Sequence, residues 1–162
     1  MEVVQYEKKY LDRWEDFAAA SSNGTIFHTR KFLSYHSPDK FKDHSLLFLD
    51  DNKIVSMLPA ADIKRDGIRT LWSHMGASYG GFVYNESLSI KQSFDLTQNL
   101  IDHALKEKYE KIVITNVPVI YQRRFNQYLD FAFIKNGFQY QKREVTSVIT
   151  LYVDEDNVMK LI

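Results

Sequence analysis

The chain has 162 residues, 44% of them hydrophobic and 26% charged, which suits one folded domain and excludes a disordered segment. Its 21 lysines and arginines balance its 21 aspartates and glutamates, so it lacks the positive field expected of a dedicated binder of duplex nucleic acid or anionic membranes. The absence of cysteine excludes disulfides, thiolate nucleophiles and cysteine-based metal sites.

The first residues, MEVVQYEKKYLDRWEDF, are charged and interrupted in hydrophobicity, so they do not read as a secretory signal. No stretch reaches the apolar length of a membrane-spanning helix. A chain without cysteine also suits a reducing compartment. The sequence therefore predicts a cytoplasmic protein without a membrane span.

The first elements in chain order are a strand and two helices. Residues 3–6 are predicted to form a short strand. Apolar residues then recur at helical spacing over residues 9–22, which predicts an amphipathic helix that ends at Asn23-Gly24. A second, short helix is predicted over residues 30–36, and Pro38 limits its extent.

Three strands follow, separated by turn signals. They are predicted over residues 45–49, 54–63 and 68–75. The pairs Asp51-Asn52 and Asp66-Gly67 between them are typical of tight hairpin turns. The three strands are therefore predicted to form a consecutive antiparallel meander.

The strongest helix signal begins at Ser89, which forms a capping box with Gln92. Residues 111–117 are β-branched and apolar, as in a buried strand. The apolar stripe of the helix that begins at Ser89 is predicted to contain Ile90, Phe94, Thr97, Ile101, Ala104 and Leu105.

A last helix precedes two predicted strands. Its stripe begins at Phe125 and includes Phe133, and Asn136-Gly137 ends it. Strands are predicted over residues 138–143 and 145–152.

This order predicts an α/β fold in which a mixed, mainly antiparallel central sheet carries helices on both faces. Residues 1–153 are expected to form a single domain. Acidic residues at 154–156, followed by Val158 and Leu161, indicate the start of a further helix over residues 154–162. We expect this helix to lead toward a second domain.

The order of elements, with Asn136-Gly137-Phe138 between helix and strand, resembles the GNAT superfamily of acyltransferases. Three stretches resemble its FemAB-like members: NGTIFHT at 23–29 followed by Phe32, GASYGGFV at 76–83, and residues 147–154 followed by Val158 and Leu161. Their order and spacing are similar to those of the amino-terminal half of a FemAB-like protein.

FemAB-like proteins contain two GNAT-like domains and transfer an acyl or aminoacyl group to an amine, often in peptidoglycan or surface-polysaccharide synthesis. The resemblance implies that this chain contributes acceptor-side surface and is inactive alone. It implies as partners a second GNAT-like domain in cis or a homodimer mate, and a small-molecule or cell-wall-precursor acceptor. Two alternatives stay open: a non-catalytic binding module, and a small complete N-acetyltransferase with a degenerate donor loop.

The donor site expected of a GNAT enzyme is missing after the strand at 111–117. Coenzyme A pyrophosphate binds backbone N–H groups of a glycine-rich turn. Here residues 118–124 contain no glycine, and Pro118 has no N–H. We therefore predict no cofactor for this chain; an acyl-CoA or aminoacyl donor is expected only in a complete two-domain protein. Arg123 and Arg124 could bind a phosphate, but a solvated helix start is the favoured interpretation.

The acceptor side is predicted around residues 76–81. This loop is either a floor on which a substrate passes close to backbone or a glycine-permitted turn. FemAB-like proteins carry a basic residue that helps to hold the acceptor's phosphate or carboxylate where this chain has His36. The candidate substrate-binding residues are Lys31, His36, Tyr79, Gly80, Gly81 and Tyr84.

The histidines do not predict a metal site. They lie at positions 28, 36, 44, 74 and 103, without the pair spacing of a zinc motif. His28 is interpreted as a local cap or packing residue. No nucleophile elbow is present, and the sequence assigns no catalytic residue.

Overall fold

The structure, a computed structural model, describes residues 1–37, 40–145 and 147. Single 3₁₀ turns lie at Lys8–Tyr10, Ile26–His28 and Val119–Tyr121. The helices and strands are β1 (Glu2–Gln5), α1 (Leu11–Ala20), α2 (Arg30–Leu33), β2 (Lys42–Asp43), β3 (Leu46–Asp50), β4 (Lys53–Leu58), β5 (Ala61–Arg65), β6 (Ile68–Ser73), β7 (Val83–Tyr84), α3 (Ile90–Lys106), β8 (Lys111–Ile114) and α4 (Tyr128–Lys135).

The strands form two four-stranded sheets, and the chain passes from one sheet to the other between β2 and β3 and between β4 and β5. One has the order β1-β3-β4-β7 and the other β2-β5-β6-β8. Among the described residues, every strand pair is antiparallel except β6 and β8, which are parallel. Two residues separate β2 from β3, and two separate β4 from β5, so the sheets read as one central sheet with a bend. The His44 N–H donates to the Ala60 carbonyl at 2.9 Å across this bend.

Helices cover both faces of the sheet because β3 is apolar on both sides. Leu46 and Phe48 belong to the core that includes residues of α3 and α4. Leu47 and Leu49 belong to the core beneath α1, where Trp14 is fully buried. A strand buried on both faces reads as a continuous apolar run. The prediction of a mixed, mainly antiparallel sheet with helices on both faces is confirmed.

Both predicted hairpin turns are present. Asp51 and Asn52 have φ of 44° and 62°, and Asp66 and Gly67 have φ of 53° and 84°. Positive φ at both central residues of a two-residue loop gives the turn whose twist matches antiparallel strands.

The single strand predicted over residues 54–63 is wrong. The chain forms β4 up to Leu58 and β5 from Ala61, and these strands lie in different sheets. Pro59 lies at the break, and it has no N–H for a ladder. The predicted meander is therefore two hairpins, β3-β4 and β5-β6, joined at the bend.

Other predicted boundaries also differ from the structure. The helix predicted over 30–36 ends at Leu33, and the strand predicted over 111–117 ends at Ile114. Residues 138–143, predicted as a strand, are irregular, and residues 139–143 are exposed to solvent without a partner strand among the residues described. The predicted strand 145–152, apart from residues 145 and 147, and the predicted helix 154–162 lie outside the described residues.

The capping box of α3 is confirmed, but its predicted stripe is shifted. The Ser89 hydroxyl accepts from the Gln92 N–H at 3.2 Å, and the Gln92 side chain accepts from the Ser89 N–H at 2.9 Å. Ile90 and Leu105 are exposed, although both were expected in the core. The residues of α3 that are buried are Ser93, Leu96, Thr97, Leu100 and Ala104.

Small polar residues can share this buried face because their hydroxyls have partners within the helix. Ser93 donates to the carbonyl of Ser89 at 3.0 Å, and Thr97 donates to that of Ser93 at 2.8 Å.

Among the described residues, no helix combines the length and hydropathy that a membrane crossing needs.

The end of α4 confirms the predicted glycine stop. Gly137 has φ of 86°, and the Phe138 N–H donates to the Phe133 carbonyl at 3.0 Å. The two phenyl rings lie 5.0 Å apart, which completes the hydrogen-bonded and hydrophobic parts of this helix stop.

Two leucines of α3 test which face of this helix is buried. Leu100 is 0% exposed and Leu105 is 67% exposed. We expect Leu100→Ala to lower the free energy of unfolding by about 2–5 kcal/mol, because it leaves a cavity. The matched Leu105→Ala is expected to change it by less than about 0.5 kcal/mol. Urea unfolding measures both; equal losses would contradict the orientation of α3.

Candidate functional site

An open cleft of about 440 Å³ lies beside α2. Its walls come from α2 and the turn after it, from the segment that leads into β2, and from the residue that follows β6. We call it the α2 cleft. Its lining residues are Arg30, Leu33, Ser34, His36, Ser37, Phe41, Lys42, Asp43 and His74.

Arg30 fixes the inner wall of the α2 cleft against the bend of the sheet. Its guanidinium pairs with the carboxylate of Asp43, donates to the Ser45 hydroxyl at 3.0 Å, and lies 3.8 Å from the centre of the Tyr6 ring. Burial opposes ionisation of Asp43, but the charge of Arg30 and hydrogen bonds from Ser45 outweigh it, so the pKa of Asp43 lies below its usual range. Arg30 and Asp43 are therefore a charged pair in the cleft wall.

His36 is held by the backbone of the glycine-rich loop. Its Nε2 lies 3.0 Å from the carbonyl oxygen of Gly76, and a carbonyl only accepts, so Nε2 carries the proton. In the neutral ring Nδ1 is then unprotonated. Gly76 has φ of 95°, and a Cβ there would lie 2.6 Å from His36 Nε2 and 2.7 Å from the Phe41 ring. A glycine is required at this position for backbone conformation and for space.

His74, which also lines the α2 cleft, has a buried polar atom without a partner in the part of the chain that the structure describes. It is 5% exposed, and its Nδ1 is buried with no hydrogen-bond partner among the described residues. Burial is the main cause that lowers the pKa of His74, so its neutral form is favoured. The Phe41 ring packs edge-on against both His36 and His74.

Lys42 is the exposed cation of the α2 cleft. Its side chain is 73% exposed, and its Nζ lies 3.1 Å from Asp62 Oδ2. Asp62 also receives two hydrogen bonds from Arg69, at 2.8 and 3.1 Å. Because Arg69 still satisfies the carboxylate, Lys42 can turn toward a ligand without leaving an unpaired charge.

The parallel strands β6 and β8 are closed off at their carboxyl ends, where open α/β sheets usually bind ligands. The Thr115 N–H donates to the Ser73 carbonyl at 3.2 Å, and the Gly80 N–H donates to the Thr115 carbonyl at 2.9 Å. The Gly81 N–H donates to the Ser73 hydroxyl at 2.6 Å. These backbone donors are used within the fold and are not offered to a ligand.

His28 fastens the same loop from the other side. Its Nδ1 accepts from the Thr25 N–H at 3.0 Å, so Nε2 donates to the Gly80 carbonyl, 3.0 Å away. Burial lowers the pKa of His28 and favours this neutral ring. The interpretation of His28 as a cap and packing residue is confirmed. A Cβ at Gly80 would lie 2.6 Å from the backbone nitrogen of His74, so close packing explains this glycine.

A second recess, beside the end of β8, is too small for a substrate. Its volume of about 30 Å³ is that of about one water molecule. Asn116 donates to Asp130 at 2.7 Å on its wall. Burial raises the pKa of Asp130, and burial with the nearby Asp130 charge raises the pKa of Tyr84 to about 12. The recess is a small polar pocket between α4 and β7.

The structure separates the predicted substrate-binding residues. His36 lines the α2 cleft, whereas Lys31 is exposed on α2 and does not line it. Tyr79 packs against the aromatic rings of residues 27 and 121, with centroids 4.8 and 5.7 Å away. Gly80 and Gly81 lie in the closed loop described above, and Tyr84 is buried in β7 and lines the second recess.

Sequence analysis did not identify Arg30, Phe41 or His74. Arg30 is one residue from the predicted Lys31, and only the start of α2 at Arg30 decides which of the two faces the cleft. His74 lies two residues before the glycine-rich loop, and that position is the one signal that could have marked it.

Arg123 and Arg124 serve the fold. The Arg123 guanidinium donates to the Ala19 carbonyl at 3.2 Å, and that of Arg124 donates to the Glu86 carbonyl at 3.3 Å. The predicted helix start at this position is wrong, because α4 begins at Tyr128. The two arginines connect the loop before α4 to the end of α1 and to the loop before α3 by hydrogen bonds.

No protein-family profile and no curated protein sequence matches the chain. Solved acetyltransferases share its fold. One is the ribosomal-protein-alanine N-acetyltransferase of Brucella melitensis biovar Abortus 2308, with a TM-score of 0.56 at 11% identity over 92% of this chain and 100% of that one. Another is the aminoglycoside 6'-N-acetyltransferase AAC(6')-IG of Acinetobacter haemolyticus, with a TM-score of 0.54 at 12% identity over 94% and 100%.

A predicted acetyltransferase of Clostridium acetobutylicum, solved with acetyl-CoA, has a TM-score of 0.53 at 13% identity over 91% of this chain and 95% of that one. Such low identities show the fold alone. The chain has the GNAT acetyltransferase fold, as its order of elements predicted.

Gly76 tests how the α2 cleft is held. We expect Gly67→Ala to cost about 1–2 kcal/mol, because φ of 84° is strained for alanine although nothing lies within 4 Å of the new Cβ. Gly76→Ala should cost more, since its Cβ also displaces His36. Urea unfolding measures the costs, and NMR of the His36 imidazole detects the displacement. Equal costs with an unmoved His36 signal would contradict this geometry.

Proposed function

We propose that the chain is the acceptor-binding, amino-terminal unit of a cytoplasmic FemAB-like acyl or aminoacyl transferase, and that its α2 cleft holds the acceptor. The GNAT fold supports acyl transfer as the reaction class. The observation that carries the proposal is the α2 cleft itself, whose lining includes Lys42, His36 and the pair of Arg30 and Asp43. Its size falls in the range of small-molecule sites.

The cleft suits an acceptor that carries a phosphate or carboxylate, such as a precursor of peptidoglycan or surface polysaccharide. Lys42 is free to turn toward an anion because Arg69 satisfies Asp62. His36 lines the cleft and donates its Nε2–H to the Gly76 carbonyl, which holds the imidazole in the cleft wall. Arg30 stays paired with Asp43 and supplies a rigid wall.

The donor is expected on another unit. Gly80 and Gly81 use their N–H groups within the fold, and the second recess has room for about one water molecule. Neither feature offers the backbone amides that a pyrophosphate needs or the channel that a pantetheine arm needs. The proposal therefore assigns no cofactor to this chain.

The proposed division of labour follows from the chemistry. The acceptor amine attacks the acyl carbonyl, a C–N bond forms, the bond to the thiol or alcohol leaving group breaks, and the amine loses a proton. Fixing the acceptor's anionic end in the α2 cleft orients its amine toward a donor on the second unit. The bimolecular reaction then becomes effectively unimolecular, which lowers its entropic barrier.

The second candidate is a small complete N-acetyltransferase. The observation in its favour is length: the chain aligns with almost the whole of several single acetyltransferase chains, one of them solved with acetyl-CoA. This candidate requires the closed ends of β6 and β8 to open for the donor, and the following experiment separates it from the first.

Calorimetry on the full chain at low salt tests both halves of the proposal. We expect no heat with acetyl-CoA, and saturable binding with uridine diphosphate N-acetylmuramoyl pentapeptide as the anionic precursor. Lys42→Gln should weaken binding of the precursor about tenfold, equivalent to about 1.4 kcal/mol, because it removes the exposed cation of the cleft.

Lys91→Gln is the matched control, since Lys91 is an exposed lysine in the first turn of α3 and does not line the cleft. Stoichiometric binding of acetyl-CoA would contradict the acceptor-binding unit and support the small complete N-acetyltransferase. No binding of the precursor, or equal losses in the two variants, would contradict the α2 cleft as the acceptor site.

The proposed partner is a second GNAT-like unit, in cis or in a homodimer, docked on the outer face of α4. This helix buries Leu129, Ala132 and Phe133 but leaves Phe131 and Ile134 half exposed. Apolar side chains on the outer face of a helix often mark a surface that packs against another element.

We expect the chain alone to dimerise through this face at high concentration, as measured by size-exclusion chromatography with light scattering. Phe131→Asp should give a monomer, because a charge in an apolar contact is costly. Leu105→Asp, on the exposed side of α3, should leave the mass unchanged. A strictly monomeric wild-type chain would contradict self-association through α4.

A further inference from the structure

Two histidines that lie 59 positions apart are joined directly. His44 follows β2 at the bend of the sheet, and His103 lies in the last turn of α3. Their Nε2 atoms are 2.9 Å apart, and their ring centres are 5.2 Å apart. His44 is buried, and its N–H donates to the carbonyl of Ala60. The imidazole pair therefore fastens the end of α3 to the bend.

This contact has a fixed proton requirement. A hydrogen bond between two imidazole nitrogens needs one proton between them, so one Nε2 donates and the other stays unprotonated. A first extra proton can enter at an Nδ1 and leave the bond intact. A second would place two N–H groups against each other with two positive charges at hydrogen-bond distance. The pair can exist neutral or singly charged, but not doubly charged.

The surrounding groups do not remove this limit. Burial and the neighbouring His103 lower the pKa of His44, against Asp62 of β5 and Glu107 after α3, with Arg69 of β6 acting in the same direction as burial. Burial likewise lowers the pKa of His103, with Glu107 opposing and Lys106 assisting. Tyr109, whose ring packs against His44, holds its proton because burial raises its pKa. The neutral pair is thus the favoured state near neutral pH.

We propose that the His44–His103 hydrogen bond is an acid-sensitive link that ties α3 to the bend of the sheet and releases when both imidazoles are protonated. The residue before His44 is Asp43, whose carboxylate pairs with Arg30 in the wall of the α2 cleft. Because Asp43 and His44 are joined by one peptide bond, a movement of His44 on release is expected to shift Asp43 in the cleft wall. The inference stands on the imidazole contact and holds whatever ligand the cleft binds.

The pH window follows from the direction of the shifts. In the unfolded chain each histidine takes up a proton near the ordinary pKa of about 6.5. In the folded chain both pKa values lie lower, so the unfolded state binds more protons as pH falls below that value. The stability that the pair contributes is complete above about pH 6.5 and is lost as the pH falls through the folded pKa values.

Urea unfolding of the full chain between pH 5.0 and 7.5 tests the link. His103→Gln keeps an amide donor near the position of Nε2 and removes one titrating group. At pH 7.5 we expect the ratio of folded to unfolded chain to agree with wild type within about threefold. At pH 5.0 the ratio of folded to unfolded chain should be about tenfold higher for the variant than for wild type, since wild type has one more histidine to protonate. The control is Lys91→Gln, which changes an exposed side chain of the same helix outside the pair and should follow wild type.

Parallel pH curves for wild type and His103→Gln would overturn the proposal. A second measurement uses only the wild-type protein and does not depend on how a variant folds. Long-range ¹H–¹⁵N spectra should show one Nε2 protonated and one bare at pH 7.5, with coupled titration of the two rings below pH 6.5. Two rings that titrate independently near the ordinary histidine pKa would also overturn it.

Discussion

Between β4 and β5 the chain passes through Pro59, which has no N–H to donate, and the ladder of the central sheet is interrupted there. The polar groups freed at this bend are paired locally: Ala60 donates to the Ser45 hydroxyl at 3.2 Å, and His44 donates to the Ala60 carbonyl. Arg30 reaches the same hydroxyl. Because unpaired buried backbone groups are costly, these contacts determine how the two halves of the sheet meet.

The α2 cleft is a consequence of this bend. Arg30 and Asp43 are neighbours of Ser45 in its hydrogen-bond network, so the pairing that satisfies the bend also builds the cleft wall. On the opposite side, the loop after β6 turns at Gly76 and receives His36. A cleft lined by charged groups and imidazoles therefore arises where the sheet cannot continue as a regular ladder.

The fold is that of acetyltransferases, yet the carboxyl ends of its parallel strands are closed by their own backbone. In open α/β sheets, ligands bind in the crevice outside the carboxyl ends of the strands. Here Thr115 and Gly80 extend the pairing beyond β6 and β8, and His28 holds the Gly80 carbonyl. This distribution of hydrogen bonds is what the proposed acceptor role of the α2 cleft draws on. Shared fold and shared site are separate properties.

The sequence by itself determined the features whose energy lies within a few residues. These are the turns at Asp51-Asn52 and Asp66-Gly67, the capping box at Ser89, and the stop at Gly137, all set by local backbone preference and local hydrogen bonds. Only the tertiary structure decided the rest. The division of the strand at Pro59, the burial of Leu100 in place of Leu105, the carbonyl that holds His36 and the partner of His44 depend on contacts between distant segments. Periodicity shows that a helix has an apolar side, but the neighbour that packs against it selects the face, and no local pattern encodes that neighbour.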